Sequence, residues 1–148
     1  MNIRITKRFE FELAHALTHH QGMCKGIHGH SYKLEVTVLG QPKSHAPVSD
    51  SGMVADFSEI KRIVNKMVVH PYDHALVMTA EYLKRNNIEQ ITSQKLILFD
   101  EEPTCENMLI KFVGDIQKEM PAQLQLISVK LMETSSSWAE WRAEDNQL

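Results

Sequence analysis

One of the chain's two cysteines, Cys24, stands four residues ahead of the triplet His28, Gly29 and His30. Histidines spaced two apart on a strand project to the same side. His15 lies at the end of the inward face of an earlier alternating segment, so a hairpin between the segments would gather three imidazoles. Zn2+ takes nitrogen ligands at about 2.0–2.1 Å in tetrahedral geometry, and three protein ligands with one open position mark a catalytic site. The plainer alternative, a histidine merely hydrogen-bonded at a strand end, suits one such residue better than three. Each of these continues an apolar face, where an unpaired charge is costly. Metal binding is the expectation for His15, His28 and His30. Cys24 could reach the same ion from its loop and close a structural site of one thiolate and three imidazoles, and spacing alone leaves that open. His19 and His20 sit in the loop, less constrained, and are left out of the set.

A second group of residues could move protons or hold a ligand. In YDHAL, Asp73 precedes His74, and a carboxylate beside an imidazole fixes its tautomer and raises its basicity. Neighbours in sequence often point apart, so a plain surface loop is the competing expectation. Glu133 extends the inward face of the last alternating segment, after Ile127, Val129 and Leu131. A carboxylate there must be paired or bind a ligand, because burying it alone is expensive. A planar ligand with adjacent N–H donors would satisfy it through a two-pronged hydrogen bond. The alternative is a strand-end glutamate already in water. Thr104 and Glu106 follow Pro103 and serve either as cap and first-turn residues of a helix or as ligand contacts.

The elements that must position these groups are legible as periodic runs. RFEFELAHA sets Phe9, Phe11, Leu13 and His15 against Glu10, Glu12 and Ala14. HGHSYKLEVTVLG sets His28, His30, Tyr32, Leu34, Val36 and Val38 on one face. Ile60, Ile63, Val64, Met67 and Val68 form the stripe of an amphipathic helix, with Asp56 and Glu59 in capping-box spacing. KLILFDE reads as a short strand. Thr104 then caps a helix whose stripe is Leu109, Phe112, Val113, Ile116 and Met120. LQLISVKLMET closes the series as a strand. This order predicts an α+β sheet with two helices on one side. The opposite face then requires cover, which oligomerisation would supply.

At 148 residues the chain has the length of one domain, residues 1–148. Hydrophobic residues make up 43% and charged residues 24%, which excludes disorder and fibre. Acids and bases are interspersed at net charge −3 without a basic stripe, so no nucleic-acid partner is expected. No stretch approaches the ~18 apolar residues of a membrane span, and no membrane partner is expected. MNIRITKRFEFELAH is charged throughout and is not a signal peptide. Two cysteines without an export signal point to a reducing cytoplasm.

Together these segments resemble the 6-pyruvoyltetrahydropterin synthase superfamily. The resemblance rests on Phe11-x-x-x-His15, Cys24-x-x-x-His28-Gly29-His30-x-Tyr32, GMVADF at 52–57, DHAL at 73–76, PTCEN at 103–107 and ET at 133–134. These motifs fall in the family's order and span nearly the whole chain. The resemblance implies the tunnelling fold, a four-stranded antiparallel sheet with two helices on one face. Subunits of that fold assemble into an oligomeric barrel, commonly a homohexamer built as a dimer of trimers, with active sites at subunit interfaces. It further implies that His15, His28 and His30 bind Zn2+ and that Cys24 is a proton-transferring thiol. Asp73 and His74 become the relay that activates Cys24, and Glu133 the anchor of a pterin ring, with Thr104 nearby.

The implied substrate is 7,8-dihydroneopterin triphosphate. The three residues between Cys24 and His28 resemble the branch that forms 6-carboxytetrahydropterin, in queuosine and 7-deazapurine biosynthesis, with release of acetaldehyde and triphosphate. Pyruvoyl-forming members, which eliminate triphosphate to give 6-pyruvoyltetrahydropterin, typically have five residues there and are the alternative. The branch with glutamate in place of the cysteine is disfavoured by Cys24. DHALVM lacks the asparagine common in the family, residues 79–102 form a longer connection without an assigned role, and Trp138 and Trp141 stand where a tyrosine is common. Two other classes remain: a zinc-stabilised oligomer that binds pterins without turnover, which would not need Cys24, and a thiol sensor. Lys25 and Lys33 are available for a triphosphate, as is positive charge from a neighbouring subunit.

Overall fold

The computed structural model describes residues 1–44, 49–88 and 95–146. Strands β1 (Ile3–His15) and β2 (His28–Gly40) pair antiparallel over their full length, from Ile3 opposite Gly40 to His15 opposite His28. Their alternating apolar residues face one way. Phe9, Phe11, Leu13, Tyr32, Leu34, Val36 and Val38 are all buried. Helix α1 (Phe57–Val64) begins at Asp56, whose carboxylate accepts the Ser58 amide at 2.7 Å. It continues through a π-helical turn, Asn65–Val69, and a short turn, α2 (His70–Tyr72). Helix α3 (Ala80–Arg85) is short, and α4 (Cys105–Glu119) is capped by Thr104, which accepts the Asn107 amide at 3.3 Å. Ile60, Ile63 and Val64 of α1 and Met108, Phe112 and Ile116 of α4 join the strand residues in one core.

Among the described residues the sheet has six strands, not four, in the order β4-β3-β1-β2-β5-β6. Strand β3 (Ala75–Thr79) runs parallel to the end of β1, and β4 (Lys95–Phe99) runs parallel to β3, with α3 between them in sequence. Strands β5 (Gln125–Met132) and β6 (Trp138–Arg142) continue the sheet antiparallel on the β2 side. The long connection 79–102 is therefore partly structured, with residues 89–94 outside the described set. ALVMT is buried at every position and so shows no alternation to read.

A bulge corrects the face expected for β5. Thr37 pairs with Ser128 but Val38 pairs with Leu126, which leaves Ile127 as the extra residue. Leu126, Val129 and Leu131 are buried, while Ile127 is only half-buried. The far face of the sheet is polar rather than bare. Thr6 and Thr37 hydroxyls meet at 2.8 Å, and Arg8 pairs with Glu35. No described helix is long and apolar enough to cross a membrane.

Candidate active site

The β1–β2 register sets the metal constellation. His15 stands directly opposite His28, and His30 opposite Leu13, at the end of the sheet where the core stops. Gly29 lies between the two β2 histidines, and a Cβ there would come within 3.3 Å of the Leu13 carbonyl. The missing side chain lets the strands close. One ligand atom from each of His15, His28 and His30 lies within 4.8 Å of the others, and Cys24 is not a member of that set.

Hydrogen bonds select which nitrogens face inward. The Nδ1–H of His15 donates to the Pro103 carbonyl at 2.7 Å, and that of His28 to the Gly26 carbonyl at 2.8 Å. Each bond leaves Nε2 as the lone-pair nitrogen, as in metal-binding histidines whose tautomer is fixed by a carbonyl. The Nε2 of His15 is buried without a hydrogen-bond partner among the described residues. Burial holds the His15 ring below its usual pKa, against an opposing pull from the Pro103 carbonyl. A neutral imidazole with an orphaned lone pair suits a divalent ion.

Glu133 lies immediately past β5 and turns its carboxylate toward this cluster. Its Oε1 accepts the Tyr32 hydroxyl at 3.0 Å and stands 3.6 Å from His15 Nε2 and 3.8 Å from His30 Nε2. Cys24 sits in a 3-10 turn, Met23–Lys25, with its carbonyl accepting the Leu17 amide at 3.2 Å. Burial and then the adjacent carboxylate of Glu133 push the Tyr32 hydroxyl well above its ordinary range. Cys24 adds a smaller push in the same sense, so it lies within electrostatic reach of that hydroxyl.

Asp73 and His74 do not point apart. His74 Nδ1 and Asp73 Oδ1 are 3.0 Å apart, and the same oxygen accepts the Glu12 amide at 3.0 Å. His74 adopts a left-handed backbone with φ 58° and donates its own amide to the Glu12 carbonyl at 2.6 Å. The dyad is thus bonded to the edge of β1 where the β3 ladder begins. His74 is 79% exposed and lines an open cleft of about 260 Å3 that His30 also lines.

A model of the 6-pyruvoyl tetrahydropterin synthase family matches residues 4–144. The chain belongs to that family. It is 32% identical over 142 residues to the 6-carboxy-5,6,7,8-tetrahydropterin synthase of Haemophilus influenzae, covering 94% of this chain and 98% of the relative. Identity to the enzyme of the same name from Rickettsia conorii is 30% over 141 residues, covering 93% and 99%. The fold matches the 6-pyruvoyl tetrahydropterin synthase of Caenorhabditis elegans with a TM-score of 0.65 at 22% identity, over 97% and 96% of the two chains. An uncharacterized Wolinella succinogenes protein matches at 0.72 and 17% identity, over 97% and 99%. The architecture is therefore the tunnelling fold of this α+β family.

Of the residues predicted from sequence for this family's site, His15, His28, His30 and Glu133 converge, and Asp73 and His74 form a pair. Thr104 spends its hydroxyl on capping α4, and Glu106 is exposed on the first turn of that helix. Three contributors were not read from the sequence. The Pro103 carbonyl orients His15, the Tyr32 hydroxyl orients Glu133, and the Lys95 ammonium donates to the carbonyls of His70 at 2.5 Å and Asp73 at 3.1 Å. Tyr32 was visible as a core residue on the histidine face. Lys95 had no signal, because nothing local ties the start of β4 to the dyad.

Proposed function

We propose that the protein is a zinc-dependent 6-carboxy-5,6,7,8-tetrahydropterin synthase acting on 7,8-dihydroneopterin triphosphate and releasing acetaldehyde and triphosphate. The carrying observation is three imidazoles closing within 4.8 Å beside the Glu133 carboxylate, two of them with Nδ1 tied to a backbone carbonyl, in a chain about 30% identical along its length to enzymes of that name. His15, His28 and His30 would hold the Zn2+. When bound there, the ion acts as a Lewis acid on the oxygens of the substrate side chain and acidifies the adjacent C–H.

The chain's own groups do the rest. Glu133 presents acceptor oxygens to the N–H edge of the pterin, a two-pronged contact that fixes the ring and leaves its side chain over the histidines. Cys24 carries protons between substrate carbons, since a thiolate serves as general base near neutral pH. Its exclusion from the ligand set supports this role over a closed structural site. Asp73 holds the tautomer of His74, which takes up and returns the Cys24 proton. The 79% exposure of His74 suits a contact completed by a neighbouring subunit, in a homohexamer arranged as a dimer of trimers. Thr104 and Glu106, which follow the Pro103 that bonds His15, would serve as secondary substrate contacts. One domain spans residues 1–148, in the cytoplasm, and serves queuosine or related deazapurine synthesis.

Turnover that disappears on chelation and returns with added Zn2+ tests this reading. A protein that binds pterin without turnover in the zinc-loaded form would overturn it in favour of a binding oligomer.

A further inference from the structure

Tyr32 lies directly under the histidine cluster and is fully buried. Its ring stacks on Phe11 at 5.7 Å with 16° between the planes. It stands edge-on to His15 at 6.2 Å and to His30 at 5.6 Å. Packed on these sides, the ring has no room to turn, and its hydroxyl donates to Glu133 Oε1. That oxygen is the one 3.6 Å from His15 Nε2 and 3.8 Å from His30 Nε2. Carboxylate oxygens bind Zn2+ at about 2.0–2.2 Å, so an untethered carboxylate so close to two ligand nitrogens would swing in as a fourth ligand. Glu133 Oε1 lies close to the His15 and His30 nitrogens but is not one of the three donors that all lie within 4.8 Å of one another.

We propose that Tyr32 is a positioning residue whose hydroxyl tethers Glu133 Oε1 off the metal position and keeps the carboxylate available to substrate. This rests on the reading of Glu133 as the substrate-holding group. The tether occupies one lone pair of Oε1 and leaves the other, with both of Oε2, to accept from a ligand. A rigid, buried phenol suits the task because it loses no rotamer freedom when substrate arrives. A donor on a flexible stem would follow the carboxylate onto the metal.

Tyr32→Phe removes the hydroxyl and keeps the ring and its stacking, so it tests the tether without opening the core. It is made alone and together with Glu133→Ala in the zinc-loaded full chain. KM and kcat for 7,8-dihydroneopterin triphosphate are measured beside the rate of zinc release to a chromogenic chelator. Tyr32→Phe is expected to raise KM about ten-fold, the worth of one hydrogen bond to a charged group. Zinc leaves no faster than from the wild type, and the hydroxyl makes no further difference once Glu133 is alanine. An unchanged KM in Tyr32→Phe, with a raised KM in Glu133→Ala, overturns the tether and leaves the role of Glu133 standing. An unchanged KM in Glu133→Ala overturns that role and the tether with it. Equal losses in both backgrounds, or faster zinc release, make Tyr32 a packing residue and also overturn the proposal.

Discussion

His15 Nε2 faces Glu133 Oε1 across 3.6 Å, the imidazole 2% exposed and the carboxylate 26%. This is not an ion pair, because burial keeps the His15 ring neutral. Its lone pair meets no donor among the described residues, and a cation held by the three imidazoles satisfies it. Replacing His15, His28 or His30 by Ala is therefore expected to empty the site, while His20→Ala keeps it. Metal per chain, read by atomic emission after dialysis, checks this. Chelation should also lower the Tm. A ligand at a thousand times its Kd contributes about 4 kcal/mol of stability, and that much is lost with it.

Cys24→Ser separates the two roles open to this thiol. As a proton carrier outside the ligand set, Cys24 can be replaced with zinc content unchanged, while kcat falls about 10²- to 10³-fold. A loss of zinc affinity in parallel would make it a ligand instead.

The Asp73 carboxyl lies below the usual carboxylate range. The Glu12 amide that it accepts is the main cause, burial opposes, and His74 adds to the lowering. A depressed acid contributes stability that is present above its unfolded pKa and lost as pH falls through the lower folded value. Asp73 therefore stays ionised from about pH 5 to 8, and no limb of the rate profile in that window belongs to it. Asp73→Asn keeps an acceptor for the Glu12 amide but removes the charge. It is expected to lower kcat about 100-fold across that window. Its effect on Tm should be constant there and shrink as pH falls below the unfolded value of about 4, vanishing only below the lower folded value, where the wild-type carboxylate is itself protonated. Rate and melting series over pH give both readings.

Lys95 bonds the carbonyls of His70 and Asp73 and so closes the turn that carries the dyad. Lys95→Met should lower kcat by about ten-fold with little change in KM or zinc content, because a small displacement of His74 costs rate rather than binding. Lys95→Arg, which can still donate to both carbonyls, is expected to recover most of the loss. A raised KM with kcat unchanged would place Lys95 elsewhere.

The residues that act as local neighbours were the ones legible in the sequence. Alternation carried His15, His28 and His30 onto one face because period two survives along an unbroken hairpin. It misassigned Ile127, since a bulge inserts a residue and shifts the parity of what precedes it, putting Leu126 in the core. Strand β3 left no pattern because both its faces are covered. Glu133 survived the shift because it lies on the far side of the bulge, in step with Leu131. Groups joined only by tertiary contact, such as Pro103 with His15 and Lys95 with Asp73, had no spacing to betray them. The motifs implied the tunnelling fold, but the short strands β3 and β6 were not legible in them.

The products of the reaction test its assignment most directly. The zinc-loaded protein is incubated with 7,8-dihydroneopterin triphosphate, the pterin product identified by mass, and acetaldehyde assayed in the same mixture. Formation of 6-carboxytetrahydropterin with an equal amount of acetaldehyde is the predicted result. A 6-pyruvoyl product without acetaldehyde, or an unchanged substrate at full zinc occupancy, would contradict it.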